Sequence, residues 1–262
     1  MKKSLFGTRE WASTNVNCTK GCRNNCKYCY AKFNAVKRYK NIKEEDWIKE
    51  IPITGIINKK FKKFDGIVMF PTQHDISENN LEDCLKTINN LLIADNKILI
   101  VSKPRIKCVK QICDTYKQYK KNILFRFTIG ASNNEILSFW EPNAPSFEER
   151  MESLKYAYEN GFNTSISMEP CLDWINVIEN FNIMEKYVTH SIWIGTMNFI
   201  DQRVEVKTEK DKQMIENIKK SMNQENFQKT FENLKNNPKV KWKETLKKIL
   251  NLPESTTPEN EF

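Results

Sequence analysis

Short apolar runs alternate with stretches of helical period along most of this chain. Residues 66–70 (GIVMF), 97–101 (KILIV) and 122–129 (NILFRFTI) are apolar at nearly every position, the pattern of strands buried on both faces. Residues 162–168 and 191–195 (SIWIG) read the same way, and 13–17 is a shorter candidate. Between them lie helical patterns. Leu81, Leu85, Ile88, Leu91 and Leu92 repeat at helical spacing. Residues 106–119 and 173–186 also read as helices, and 31–39 as a basic one. Ser146-Phe147-Glu148-Glu149 after Pro145 signals a helix start, and Asn160-Gly161 its end. About six strands separated by helices imply parallel pairing with right-handed crossovers. The predicted class is α/β, a partial (β/α)6 barrel with a helical C-terminal extension.

Beyond Thr208 the text is Lys-rich, helical and without a strand signal, with two amphipathic helices expected over 226–250. The expected division is a barrel over residues 1–205, a Lys-rich extension over 206–252 and a disordered Pro-, Ser-, Thr- and Glu-rich tail over 253–262. No internal repeat is visible.

Composition adds less. Of the 262 residues 39% are apolar, which suffices for a substantial core. The formal net charge of +9 favours polyanionic partners, although the lysines are spread along the chain as a solubilising surface would have them. No run of about 18 apolar residues is present, so no membrane span is expected. The basic N-terminus lacks the apolar stretch of a signal peptide. A cytoplasmic, reducing location follows as the expectation, in which eight cysteines point to metal or catalysis more than to disulfides.

Four of the cysteines crowd into residues 17–31 (NCTKGCRNNCKYCYA): Cys18, Cys22, Cys26 and Cys29. Structural zinc usually draws two CxxC-type knuckles from separated stretches. A single loop suits an iron–sulfur cluster better. The group CxxxCxxC (Cys22, Cys26, Cys29) supplies three ligands and leaves one iron open. Cys18 falls outside that spacing and stays an alternative to Cys22.

The stretch from Gly21 to Ala31 resembles the signature of radical S-adenosylmethionine (SAM) enzymes. The resemblance implies that Cys22, Cys26 and Cys29 hold a [4Fe–4S] cluster, that the open iron chelates SAM, and that electron transfer yields a 5′-deoxyadenosyl radical. It also implies that Tyr28 lies against the adenine and that an electron donor such as flavodoxin or ferredoxin serves the cluster. Three further stretches are similar to the branch containing spore photoproduct lyase and uncharacterised phage-associated proteins. They are Phe70-Pro71-Thr72-Gln73-His74-Asp75, Val101-Ser102-Lys103-Pro104-Arg105, and the run from Glu141 to Arg150, which resembles an EP-x-APS-x-x-x-R loop and helix. In that branch the hydrogen-donating cysteine sits near the position of Thr72 to His74. This chain has none there, which counts against photoproduct repair itself.

These stretches fall at C-terminal strand ends, the rim that carries chemistry in barrel enzymes. Thr72, Lys103, Arg126, Thr128 and Glu169 are the expected SAM contacts. Arg126 and Thr128 share one face of their strand, and a structural Glu169–Arg126 pair is the alternative for both charges. Cys171 is a candidate hydrogen donor or a buried apolar residue, and His74 a candidate acid/base. His190 and the helical Cys84, Cys108 and Cys113 read as structural. The leading expectation is a radical SAM enzyme acting on a nucleic acid or nucleotide. The alternatives are the same chemistry on a protein or peptide partner, and a non-catalytic zinc-binding nucleic-acid module. Oligomeric state is not legible.

Overall fold

The apolar runs assemble into one parallel sheet. The computed structural model describes residues 5–258 and 262. Its strands are β1 (Thr14–Asn15), β2 (Thr19–Lys20), β3 (Ile51–Pro52), β4 (Ile67–Phe70), β5 (Lys97–Ser102), β6 (Ile123–Thr128), β7 (Asn163–Met168), β8 (Ile192–Ile194) and β9 (Val240–Trp242). Seven of them form a sheet in the order β1-β4-β5-β6-β7-β8-β9, with every neighbouring pair parallel. This chain-ordered parallel arrangement is the expected partial barrel, open between its edges β1 and β9. β2 and β3 make a separate antiparallel ribbon beside the cysteine loop. Residues 1–4 and 259–261, within the N-terminus read as no signal peptide and the tail expected to be disordered, lie outside the described residues.

Both faces of the sheet are buried, which is why its strands read as continuous apolar runs. Alternate residues such as Val68, Ile98, Ile100, Phe125, Phe127 and Ile166 face the helices. Ile67, Met69, Leu99, Leu124 and Trp193 form a smaller inner cluster with Trp11. The helix Phe147–Glu159 starts where the sequence signalled: the Ser146 side chain accepts from the Glu149 amide. It ends at Gly161, whose φ of +75° suits glycine. The segment expected as one basic helix instead splits into a short α-helical turn, Tyr30–Lys32, and a π-helical stretch, Phe33–Arg38.

The stretch after Thr208, expected to be strand-free, supplies β9. Its helices Glu209–Ser221 and Gln224–Leu234 lead into Val240–Trp242, which pairs with β8 in the register Ile192↔Val240 and Ile194↔Trp242. Three residues are too few to show an alternating or continuous apolar pattern, so the strand had no sequence signal.

Immediately after β9, Lys243 enters the interior with only 1% of its surface exposed. Its Nζ lies 2.9 Å from Glu10 Oε1 and 3.1 Å from Glu169 Oε2, and donates to the Gly7 carbonyl at 3.0 Å. It also sits 4.1 Å from the Trp11 ring centroid. Glu10 accepts from the Gly7 and Glu244 amides, each at 3.0 Å. The N-terminal segment is thereby tied to the last strand of the sheet. Gly195 makes room for this lysine: a Cβ there would come within 2.7 Å of Lys243 Cγ.

Removing one partner of a buried ion pair strands the other charge. Lys243→Met is therefore expected to cost about 3–5 kcal/mol near neutral pH in chemical denaturation. Burial already raises the Glu10 pKa, against the lowering influence of Lys243. Without the lysine it rises further, so the folded variant binds more protons than the unfolded chain. The stability deficit should then shrink in acid and grow as pH climbs through the Glu10 titration. A variant with wild-type stability at neutral pH would show that the cluster of charges does not support the fold.

Candidate active site

A cavity of about 420 Å³ opens at the C-terminal ends of the sheet strands. One wall is the cysteine loop, which contributes Cys22, Cys26, Tyr28 and Cys29; strand ends and the loops that follow them supply Thr72, Asp75, Lys103, Thr128, Ser167 and Glu169. The loop is shaped by its neighbours. The Cys22 amide donates to Trp47 O at 2.8 Å, and the Lys27 amide to Trp140 O at 2.9 Å. Gly21 has φ +86°, and a Cβ there would meet the Trp47 carbonyl at 2.2 Å, so glycine is required at that turn.

Cys18 is set apart from the other three. Its side chain is fully buried, 3.6 Å from Cys84 Sγ and 3.9 Å from His74 Nε2, and it does not line the cavity. The three cavity cysteines carry different surroundings. Cys22 Sγ accepts from the Asp75 amide and Cys29 Sγ from the Lys32 amide, each at 3.4 Å. Burial pushes all three thiols up, and nearby Asp75 adds to this. Each would keep its proton until a metal displaces it.

Asp75 organises the floor. Its carboxylate accepts from the Lys103 amide at 2.7 Å, Ser102 Oγ at 3.0 Å and Asn24 Nδ2 at 2.8 Å. Burial opposes its ionisation, but the Lys103 ammonium and these hydrogen bonds win and lower its pKa. The Lys103 Nζ lies 3.9 Å from Asp75 and 3.8 Å from Glu141, longer than close ion pairs. Burial works against its charge, the Asp75 and Glu141 carboxylates beside it work for it, and the net direction of its pKa is upward. Its ammonium faces the cavity, 5.7 Å from the Tyr28 ring centroid.

The run from Glu141 to Arg150 acts through a fully buried ion pair. Arg150 Nη2 lies 2.5 Å from Glu141 Oε2, and Arg150 also donates to the carbonyls of Pro145 at 2.9 Å and Thr128 at 3.2 Å. Tyr28 donates its hydroxyl to the other Glu141 oxygen. Asn17 fixes the opposite side: its Oδ1 accepts from the Thr72 and Gln73 amides at 2.7 and 2.8 Å.

The radical SAM superfamily model matches residues 16–173. The chain belongs to the radical SAM superfamily. It is 30% identical over 160 residues to an uncharacterised protein of Methanocaldococcus jannaschii, covering 60% of each chain. An uncharacterised protein of Acidianus two-tailed virus is 27% identical over 172 residues, 61% of this chain and 55% of that one. The match thus spans about three fifths of these relatives' lengths. Among solved structures, a spore photoproduct lyase mutant with bound AdoMet and dinucleoside spore photoproduct aligns at TM-score 0.54 and 15% identity, over 83% of this chain and 64% of that one. Streptococcus suis SuiB bound to S-adenosylmethionine aligns at TM-score 0.51 and 9% identity, over 95% and 56%. Those likenesses show a shared fold.

Radical SAM proteins use a [4Fe–4S] cluster and SAM, and the donor set fits that pair. Three thiols face one cavity, Cys22 and Cys26 buried and Cys29 partly exposed; two of them already accept backbone N–H bonds, while Cys18 turns away. No three His, Cys, Asp or Glu side chains among the described residues are grouped to hold a single metal ion. Membership in an enzyme superfamily displaces the non-catalytic zinc reading.

Other expected site residues fall in different places. Tyr28, Thr72, His74, Lys103, Thr128 and Glu169 all line the cavity. Arg126 does not: it lies beneath, fully buried, donating to Ser165 Oγ at 3.0 Å and flanked by Trp11 and Trp193 at 4.7 and 5.3 Å. Two residues along the strand carry it below the rim that Thr128 reaches. Glu169 pairs with Lys243 and not with Arg126. Cys171 is fully buried in the helix-facing core, outside the cavity lining. His74 has both ring nitrogens engaged, Nε2 with the Cys18 amide at 3.3 Å and Nδ1 with the Asp75 carbonyl at 3.0 Å. Both contacts brace the loop.

Sequence reasoning missed Ser167 and Arg203 in the lining and Lys243 behind Glu169. Ser167 shares the face of Glu169 by strand alternation and was findable. Lys243 and Arg203 had no local signal.

Cys26→Ala is expected to lose the iron that the reconstituted protein binds, and Cys18→Ala to retain it, by iron and sulfide analysis. Equal loss in both would return Cys18 to the ligand set. Arg150→Met leaves Glu141 buried without its partner, and should destabilise the fold by about 3–5 kcal/mol. Pairing it with Glu141→Gln should recover part of that loss in a denaturant titration.

Proposed function

We propose that this protein cleaves SAM reductively and directs the resulting radical at a C–H bond of a nucleic acid or nucleotide. The observation that carries the reading is the single cavity into which three cysteine thiols, the Lys103 ammonium and the Glu169 carboxylate converge. When bound, the cluster supplies one electron to SAM, which yields methionine and the 5′-deoxyadenosyl radical.

The chain's own residues supply position and field. Cys22, Cys26 and Cys29 would hold the cluster. Lys103, ionised and loosely paired, suits the carboxylate of SAM. Tyr28 offers a ring face near the cluster, with its hydroxyl tied to Glu141. Glu169, held by Lys243, presents a carboxylate suited to ribose hydroxyls. Thr72, Thr128 and Ser167 add hydroxyl groups around the same space. Buried aromatic and apolar groups, Trp11 and Met69 among them, close the inner side and limit water near a reactive radical.

Two things support a nucleic-acid substrate: the net charge of +9 and the fold shared with a lyase seen with a dinucleoside photoproduct. The reading includes the reducing cytoplasm, where an oxygen-labile cluster survives, and a low-potential protein electron donor. A peptide substrate is the competing outcome of the same test.

The test is anaerobic reconstitution with iron and sulfide, reduction with dithionite, and quantification of 5′-deoxyadenosine by mass spectrometry. Single-stranded and duplex oligonucleotides are expected to raise its yield several-fold. Deuterated substrate should pass its label into the product. Failure to form 5′-deoxyadenosine in any arm overturns the chemistry. Formation without any response to nucleic acid overturns the substrate assignment.

A further inference from the structure

A second depression, of about 220 Å³, lies on the other side of the cysteine loop. Its wall carries five cationic side chains, Lys27, Lys32, Lys37, Arg203 and Lys207. Four of them are tethered to carboxylates: Lys27 to Asp211 at 2.8 Å, Lys32 to Glu44 at 3.1 Å, and Lys37 and Lys207 to Glu205 at 2.6 and 2.9 Å. An ammonium has three donors, so a tether fixes its position and leaves donors over for a ligand. Lys37 and Lys207 are also 50% and 66% exposed. Arg203 differs from the other four. Among the described residues no carboxylate pairs with it and no hydrogen bond engages it.

Arg203 also stands where two spaces meet. It ends the short helix Ile200–Arg203 and lines both the depression and the main cavity, as Asn25 and Cys29 do. Two aromatic rings lie beside this junction. The guanidinium sits 4.9 Å from the Phe199 ring centroid, and Phe199 is 51% exposed. Tyr30 lines the main cavity, its hydroxyl anchored to the Thr72 carbonyl at 2.6 Å. A planar guanidinium presents its donors as a fork that matches phosphate oxygens. Cations for a backbone and ring faces for bases are the components of a single-strand nucleic-acid site.

We propose that Arg203 grips the phosphate of the nucleotide that enters the main cavity, and that the depression carries neighbouring phosphates of the same strand. The substrate is then a single-stranded polynucleotide, neither a free nucleotide nor an intact duplex. The inference deepens the nucleic-acid reading of the main cavity and rests on it. A free nucleotide would occupy the cavity and leave the cations of the depression without a ligand. A duplex keeps its bases stacked, and a base reaches an enclosed site only by leaving the stack. Each phosphate contact releases condensed counterions. Affinity should therefore fall with salt, with a log–log slope of about −0.7 per contact on a single strand.

The probes are fluorescein-labelled single strands of mixed sequence, from a dinucleotide up to about 16 nucleotides, the upper end of single-strand site sizes. Unlabelled mononucleotide, duplex and poly-glutamate serve as competitors. Fluorescence anisotropy of the reconstituted, SAM-loaded protein gives affinity across a salt series. Wild-type affinity should rise with strand length, by about a hundredfold or more over the mononucleotide. Lys37→Gln/Lys207→Gln should flatten the salt slope by about 0.7 for each contact removed. Arg203→Gln should lose roughly tenfold in strand affinity and Arg203→Lys should recover part of it, with SAM affinity the same in both. Thermal melts should show every variant folded. Wild-type strand affinity and salt slope in the folded variants overturn the proposal. So does binding no tighter to a strand than to a mononucleotide, or equally tight to duplex. Equal competition by poly-glutamate overturns it by assigning the surface to an acidic protein, and a loss confined to SAM affinity in Arg203→Gln overturns it by giving that residue to the cofactor. Absence of 5′-deoxyadenosine formation with dithionite in the wild type would instead strike the radical SAM reading, and the anisotropy series would still judge the strand path.

Discussion

The position of the cysteine loop depends on one fully buried ion pair, Glu141 with Arg150. Taking two charges out of water costs several kcal/mol per ion, and attraction between them offsets this only when every remaining donor and acceptor is also matched. Here the matching groups come from separate parts of the chain. Tyr28 belongs to the cysteine loop, Thr128 to the end of β6, and Pro145 to the turn before the helix. The pair is satisfied only when all three are in register. A loop that would otherwise sample many conformations is thereby held against the rim of the sheet.

A second buried cluster of charge does the same on the far side of the cavity. Lys243 joins Glu10, Glu169 and the Gly7 carbonyl. The two clusters share a design. Each satisfies most of its charge internally and leaves one member facing the cavity: Lys103 beside the first, Glu169 beside the second. A cation and an anion are thus presented across one space at fixed positions. That suits a zwitterionic ligand with a sugar attached. Preorganised charge of this kind needs no rearrangement when the ligand arrives.

Much of this was legible in the residues, for reasons that differ from element to element. Strands such as Lys97–Ser102 and Ile123–Thr128 are buried on both faces, so composition alone marked them. The spacing of Cys22, Cys26 and Cys29 marked the loop because the ligands of one cluster lie close in sequence. Arg126 and Cys171 show the limit. Strand alternation says which face a side chain takes, but not how deep along the barrel axis it sits, and depth separates Arg126 from Thr128. For Cys171, a residue just past a strand end can turn toward either layer. The contribution of Lys243 rests on a contact between residues 236 apart, and such contacts leave no periodic trace in one sequence.

The pairing of Lys243 with the N-terminal segment also sets an order of events during synthesis. Every cysteine of the cluster loop leaves the ribosome long before the lysine that steadies Glu169. A nascent chain can therefore present its three thiols as a loose claw while the opposite wall is still unmade. The wall that carries the thiols draws on residues only as far as Arg150, whereas the wall around Glu169 waits for β9 to settle against β8.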